Sequence, residues 1–299
     1  MSARLVLTGA SAILTGAGAI ALLGAASAAL AAEPEKVWEA TGFEAPESAL
    51  YDAAQGVIYV SNVAGEPNAK DGRGFISTLS PEGEVQEMEW ATGMNAPKGL
   101  GLVDDTLYVA DIDTVLAIST ADGKVQDSWT VEGAKFLNDV AAAADGRVFV
   151  SDMLNGSIHV IEGGEVSTFV EGEGIDNPNG LLATEDGLVV ASWGVMTGEG
   201  FSTDPAGHLK IVSYDDQSVS SIGSGEPVGN LDGVEPDGEG GYYVTDWVNG
   251  ALFHFDAEGT HQQLLDLDQG SADIGVIPDQ NLVLVPMMMD GTVVAYRVE

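Results

Sequence analysis

The chain has 299 residues, 47 Asp and Glu against 10 Lys and Arg, and no cysteine, for a formal net charge of −37. That excess repels polyanions and excludes nucleic-acid binding, while the missing thiols exclude a disulfide framework, thiolate-held zinc, a cysteine nucleophile and a lipoprotein anchor. Apolar residues at 45%, with acidic residues scattered singly among them, exclude disorder, and 39 glycines against 11 prolines favour the many tight turns of an all-β chain.

Residues 5–32 carry no charge, Arg4 supplies a minimal basic region, and Ala29-Leu30-Ala31 fits a small-residue cleavage site. The sequence thus predicts a signal peptide over 1–31, a mature domain over 32–299 and a periplasmic or secreted protein. The same stretch could span a bilayer at ~20 residues. Its Gly, Ala, Ser and Thr content and its cleavage site favour removal instead, with no stable membrane anchor left. Loss of Arg4 takes the charge from −37 to −38. Such a surface suits either ordinary solubility or a saline habitat, where salt screens self-repulsion.

From residue 46 onward one pattern recurs six times: a polar residue, an apolar strand, a turn, and a second strand ending in a small-polar pair. The first strands read PESALYD, PKGLGLV, LNDVAAA, PNGLLAT, LDGVEPD and ADIGVIPD. Their ring residues are Glu47, Lys98, Asn138, Asn179, Asp232 and Asp273, spaced by 51, 40, 41, 53 and 41. The second strands keep phase, ending at Asn62, Asp111, Asp152, Trp193, Asp246 and Met287. Third strands follow, often across Asn155-Gly156, Asn249-Gly250 or Asp290-Gly291, which suit the positive φ of a type I′ turn. Fourth strands fit 85–92, 125–131, 165–171, 218–224 and 260–267. Four short strands every ~40–50 residues, six times over, predict a six-bladed β-propeller of four-stranded blades. Only three strands fit after Asp273, so residues 36–41 are expected to complete blade six by pairing antiparallel with 291–298. The two long spacings place insertions at 64–74 and 194–207, either surface excursions or lids beside the channel mouth.

First strands line a propeller's channel, so the six ring residues are expected to converge there. Two carboxylates and two carboxamides offer hard oxygen ligands of the kind Ca²⁺ takes, with Glu47 and Asp232 balancing a divalent charge. Lys98 and Asp273 bring further charge. Either Lys98 forms an ion pair at the channel wall beside the metal, or its ammonium replaces the metal by bridging Glu47, Asp232 and Asp273. Asp139, as a strand residue following Asn138, is expected to point away from the axis. Asp111, Asp152 and Asp246 read as Asx-turn residues. His159, His208, His254 and His261 share no motif and fall in third or fourth strands. No nucleotide-binding glycine motif occurs.

On these motifs the chain resembles the calcium-dependent six-bladed propellers of the senescence-marker/gluconolactonase/LRE-like family, related to the paraoxonases and the diisopropylfluorophosphatase-like hydrolases. The resemblance covers 36–299. It implies metal ligands at Glu47 in PES, Asn138 in FLND, Asn179 in PNGL and Asp232 in LDG. The expected activity is metal-dependent hydrolysis of a small-molecule lactone or ester. Asp232, or less so Glu47, would take a proton from water, and Lys98 would bind a substrate carboxylate or the oxyanion. The alternative is a non-catalytic propeller of the cell envelope that binds a ligand or protein.

Overall fold

The computed structural model describes Met1, 33–172, 174–198 and 200–298. Apart from Met1, the expected signal peptide and its cleavage site lie outside the described residues. No helix among those described is long and apolar enough to cross a membrane.

Blade one comprises β2 (Pro46–Asp52), β3 (Val57–Asn62), β4 (Gly74–Leu79) and β5 (Val85–Met94). Blade two comprises β6 (Pro97–Val103), β7 (Thr106–Asp111), β8 (Thr114–Ser119) and β9 (Val125–Thr130). Blade three holds β10 (Leu137–Ala142), β11 (Val148–Asp152), β12 (Ser157–Glu162) and β13 (Glu165–Glu171). Blade four holds β14 (Pro178–Ala183), β15 (Leu188–Ser192), β18 (Leu209–Val212) and β19 (Val219–Ser221), with the hairpin β16 (Gly194–Met196) and β17 (Thr203–Ala206) inserted. Blade five is β20 (Leu231–Pro236), β21 (Tyr242–Asp246), β22 (Ala251–Phe255) and β23 (His261–Asp266). Blade six is β24 (Gly275–Ile277), β25 (Leu282–Met287), β26 (Thr292–Arg297) and β1 (Glu35–Thr41).

Each blade is a sheet whose two faces are both covered by neighbouring blades. Its second strand therefore reads as a continuous apolar run, such as VFVSD, buried at every position, while the outermost strand is polar, as in VQDSWT. One hydrophobic cluster fills each of the six gaps between blades. That between blades three and four contains Phe149, Ile158, Leu181, Leu188 and Val190. That between six and one contains Ala40, Ile58, Val60, Leu284 and Val293.

The ring closes as the strand count required: β1 pairs antiparallel with β26 from Glu35↔Arg297 to Thr41↔Thr292. Trp38 extends the joint into blade one, its indole nitrogen donating to the Pro81 carbonyl at 3.1 Å. The inner strand of blade six is shorter than expected. Asp273 stands before it and pairs instead with blade one, its N–H donating to the Glu47 carbonyl at 2.9 Å. The hairpins after the second strands also differ from the type I′ expectation. Gly156, Gly250 and Gly291 have positive φ, but Asn155, Asn249 and Asp290 do not, so these are longer turns with a single left-handed residue.

In blades one to five the first strand carries a bulge at the ring residue. Pro46 faces Asn62 and Ala49 faces Val60, three residues against two, and the shift recurs at Pro97/Leu100, Leu137/Val140, Pro178/Leu181 and Leu231/Val234. The bulge frees backbone N–H groups that hydroxyls on the second strand then accept. Asp139 N–H donates to Ser151 Oγ and Gly233 N–H to Thr245 Oγ1, both at 2.9 Å. The same hydroxyls donate to the next blade, Ser151 to the Asn179 carbonyl in its inner strand and Thr245 to the Ala272 carbonyl just before its inner strand, both at 2.8 Å. Inner strands touch backbone to backbone, so a Cβ on Gly180 would overlap the Asp232 carbonyl. The bulges and these close approaches fix where the ring side chains point.

Candidate functional site

Five of the six ring residues, Glu47, Lys98, Asn138, Asn179 and Asp232, line one cavity of about 400 Å³ at the channel mouth. Asp273 does not line it. Its carboxylate accepts from Ser48 Oγ at 2.6 Å, so this residue serves the joint between blades six and one. Both insertions reach the cavity, Pro67 from 64–74 and Phe201 with Ser202 from 194–207. The second is pinned there: the Trp193 indole donates to the Phe201 carbonyl at 2.8 Å, and Asn230 Nδ2 donates to the Trp193 carbonyl at 2.8 Å and to Thr203 Oγ1 at 2.9 Å.

Lys98 corrects both sequence expectations. Its ammonium makes no ion pair with a carboxylate among the described residues. It donates instead to the carbonyls of Pro67 and Ala96, each at 2.9 Å, and stands 4.5 Å from the centroid of the Phe136 ring. The ammonium of a residue only 2% exposed needs such partners, and two carbonyl dipoles with an aromatic face provide them without a paired carboxylate. Burial lowers Lys98 to about 8, against the pull of Glu47 and Asp111.

Asp139 is a second correction. At the bulge its Oδ2 reaches the next blade and accepts from the Leu181 N–H at 2.6 Å, while Oδ1 accepts from the N–H of its own neighbour Val140 at 2.6 Å. Burial raises it to about 7 despite those two donors. Its charge acts on the centre, being the strongest charge effect on Asp232 and Asp273. A third correction concerns the repeated aspartates. Asp246 accepts from Val248 and Asn249 N–H in an Asx turn, but Asp111 and Asp152 bind the loops leading into the first strands, at Asn95 and Ala96 and at Lys135 and Phe136. All three are structural.

Glu47 and Asp232 are buried, and both carboxyls are held well above the usual range. Loss of water is the main cause. Next comes the charge of Asp232 for Glu47, and that of Asp139 for Asp232. Asn138 Nδ2 donates to Asn179 Oδ1, and Asn179 Nδ2 donates to the Leu231 carbonyl at 3.2 Å. Glu47 Oε2 and Asn138 Oδ1 are buried without a hydrogen-bond partner among the described residues. Buried oxygens are rarely left so, and two of them beside mutually repelling carboxyls fit a bound cation. The set has no imidazole and no thiolate, and no cluster of three His, Cys, Asp or Glu occurs among the described residues. Any ion held here must therefore accept amide oxygens, which suits Ca²⁺ better than zinc.

None of the four histidines lines the cavity. The walls above the ring are formed by Phe136, Met153, Trp193, Phe201, Trp247 and Met288, none of which the sequence motifs mark as a site residue. One signal for them was present in the repeat itself. Blade four ends its second strand with Trp193, where four of the other blades place Asn or Asp.

No curated protein matches the chain by sequence. In fold it is similar to a gluconolactonase from Xanthomonas campestris, with a TM-score of 0.68 and 16% identity over 92% of this chain and 93% of that one. It is also similar to a putative gluconolactonase, with a TM-score of 0.65 and 18% identity over 89% and 92%. Virginiamycin B lyase from Staphylococcus aureus gives a TM-score of 0.60 and 12% identity over 88% and 99%. A family model described as the SMP-30/gluconolactonase/LRE-like region matches residues 45–270. This lactonase-like six-bladed propeller belongs to that family.

Proposed function

We propose that the protein is an exported hydrolase of a lactone or related ester that depends on a Ca²⁺-type divalent ion held by Glu47, Asn138, Asn179 and Asp232. The observation that carries this reading is the pair of unpartnered buried oxygens, Glu47 Oε2 and Asn138 Oδ1, at one cavity with Asp232. When bound, the ion supplies Lewis-acid polarisation of the scissile carbonyl. Asp232, which a bound cation would keep ionised, accepts the proton of the attacking water, with Glu47 as the second base available. Lys98 has committed two of its three protons to carbonyls and keeps one for the oxyanion or a substrate carboxylate. The apolar walls exclude bulk water and strengthen these charges.

A panel of sugar lactones, acyl lactones and aryl esters, assayed with and without Ca²⁺, tests the reading. Calcium-dependent turnover that falls at least ~100-fold in Asp232→Asn is expected. Ring opening in ¹⁸O water should place the label in the carboxylate. Opening without label would point instead to a lyase, as one fold neighbour is, and no turnover of any member would favour the binding propeller.

A further inference from the structure

We propose that the site selects lactones or esters bearing an apolar alkyl or aryl group over polyhydroxylated sugar lactones. This deepens the hydrolase reading and rests on it for the position of the reacting carbonyl, at the Glu47, Asn138, Asn179 and Asp232 end of the cavity. Away from that end the walls are aromatic and thioether. Phe136, Met153 and Trp193 form one buried cluster, with Trp247 packed against it. Phe201 closes over them with its ring 5.9 Å from Phe136 and 6.2 Å from Trp193, and Trp193 lies 6.2 Å from Trp247.

The polar groups in this wall are few, and most of their donors are already engaged. Both protons of Asn230 Nδ2 go to Trp193 and Thr203, and Lys98 keeps a single free proton. Ser202 and Gln269, both exposed at the rim, remain to meet a hydroxyl, and within the wall only Asn230 Oδ1 and the Trp247 indole N–H make no hydrogen bond among the described residues. A sugar lactone carries a hydroxyl on most ring carbons, more than this wall has polar atoms to meet, so most of those buried here would lose their water without gaining a partner. An alkyl or phenyl group loses nothing by the same burial and gains contact with four rings.

The rim points the same way. In a chain of net charge −37, Val195, Phe201, Val248 and Met289 stand exposed, all in the connections between second and third strands of blades four, five and six. Phe201 and Val248 line the cavity itself, so the apolar surface continues from the rim to the interior.

The test uses the mature protein in calcium buffer with two probe pairs. The first is a phenyl-substituted γ-lactone against glucono-1,5-lactone, compared by kcat/KM. The second is the two corresponding lactams, which resist hydrolysis, titrated by the fluorescence of Trp193 and Trp247. The phenyl-bearing lactone should be preferred at least ~100-fold and its lactam should bind more tightly. Phe201→Ser should cut that preference about tenfold. The variant keeps the backbone carbonyl that Trp193 binds, and its melting temperature should match the parent's. Equal or stronger binding of the gluconolactam, or no binding of either lactam, would overturn the inference. Tight binding of the phenyl lactam with no lactone turned over would overturn the hydrolase reading and support the apolar selectivity.

Discussion

The Lys98 ammonium lies 4.5 Å over the Phe136 ring, held there by the Pro67 and Ala96 carbonyls rather than by a carboxylate. One of those carbonyls belongs to the 64–74 insertion, so Lys98 ties this loop to the cavity. Lys98→Met removes the tie. A lysine bridging buried carboxylates would cost several kcal/mol when lost. Here the lost carbonyl bonds and the relieved burial of a charge oppose each other, and the melting temperature should move little. The loop should open instead. Trypsin cleavage after Lys70 or Arg73 is expected to accelerate roughly tenfold or more, consistent with loss of a charge-assisted hydrogen bond.

The same residue gives a pH dependence. Lys98 titrates at about 8 in the folded protein against 10.5 ordinarily. Between those values the unfolded chain holds a proton that the folded chain has shed, so stability contributed by this site rises with pH. Below pH 8 both states hold the proton and the contribution is flat. Denaturant midpoints of the parent minus those of Lys98→Met should therefore climb from pH 8 to 10.5. A flat difference would show that Lys98 keeps its ordinary pKa.

Calcium should act on stability as well as on turnover. Binding to the folded state alone adds RT ln(1 + [L]/Kd), about 2.7 kcal/mol at ~100-fold above Kd, so chelation at fixed ionic strength should lower Tm. Asp232→Asn should lose most of that sensitivity. In calcium-free buffer the same variant should melt at or above the parent, because it removes one of the carboxylates that repel each other at the ring. Unchanged calcium dependence in Asp232→Asn would remove it from the ligand set.

Ring closure rests on Trp38 as well as on strand pairing. The indole covers Gly83 and donates to Pro81 in blade one, fastening the last blade to the first. Trp38→Ala should cost about 2–4 kcal/mol, since it deletes a half-buried ring and its hydrogen bond. Deletion of 33–41 should be more severe and expose the edge of β26. Thermal melts of the two variants check the order.

The architecture was legible because it repeats. A blade cannot bury its faces alone, so the same apolar second strand and the same ring position recur wherever the next blade must stack. The missing fourth strand of blade six required the pairing now seen between Glu35–Thr41 and Thr292–Arg297. The hairpins were misread because Asn-Gly marks a left-handed position without setting the length of the turn around it.

Sequence by itself thus determined the six blades, their closure, and the four oxygen-bearing side chains at Glu47, Asn138, Asn179 and Asp232 that share a cavity. These follow from periodicity, which is local and survives translation into space. Tertiary structure decided where Lys98, Asp139 and Asp273 go. A single extra residue at the bulge rotates Lys98 and Asp139, Asp273 stands ahead of a shortened strand, and partners for all three come from other blades: Pro67 and Phe136 for Lys98, Leu181 for Asp139, Ser48 for Asp273. It also decided the aromatic wall, since Phe136, the pair Trp193 and Phe201, and Trp247 come from three loops that meet only when blades three, four and five stack.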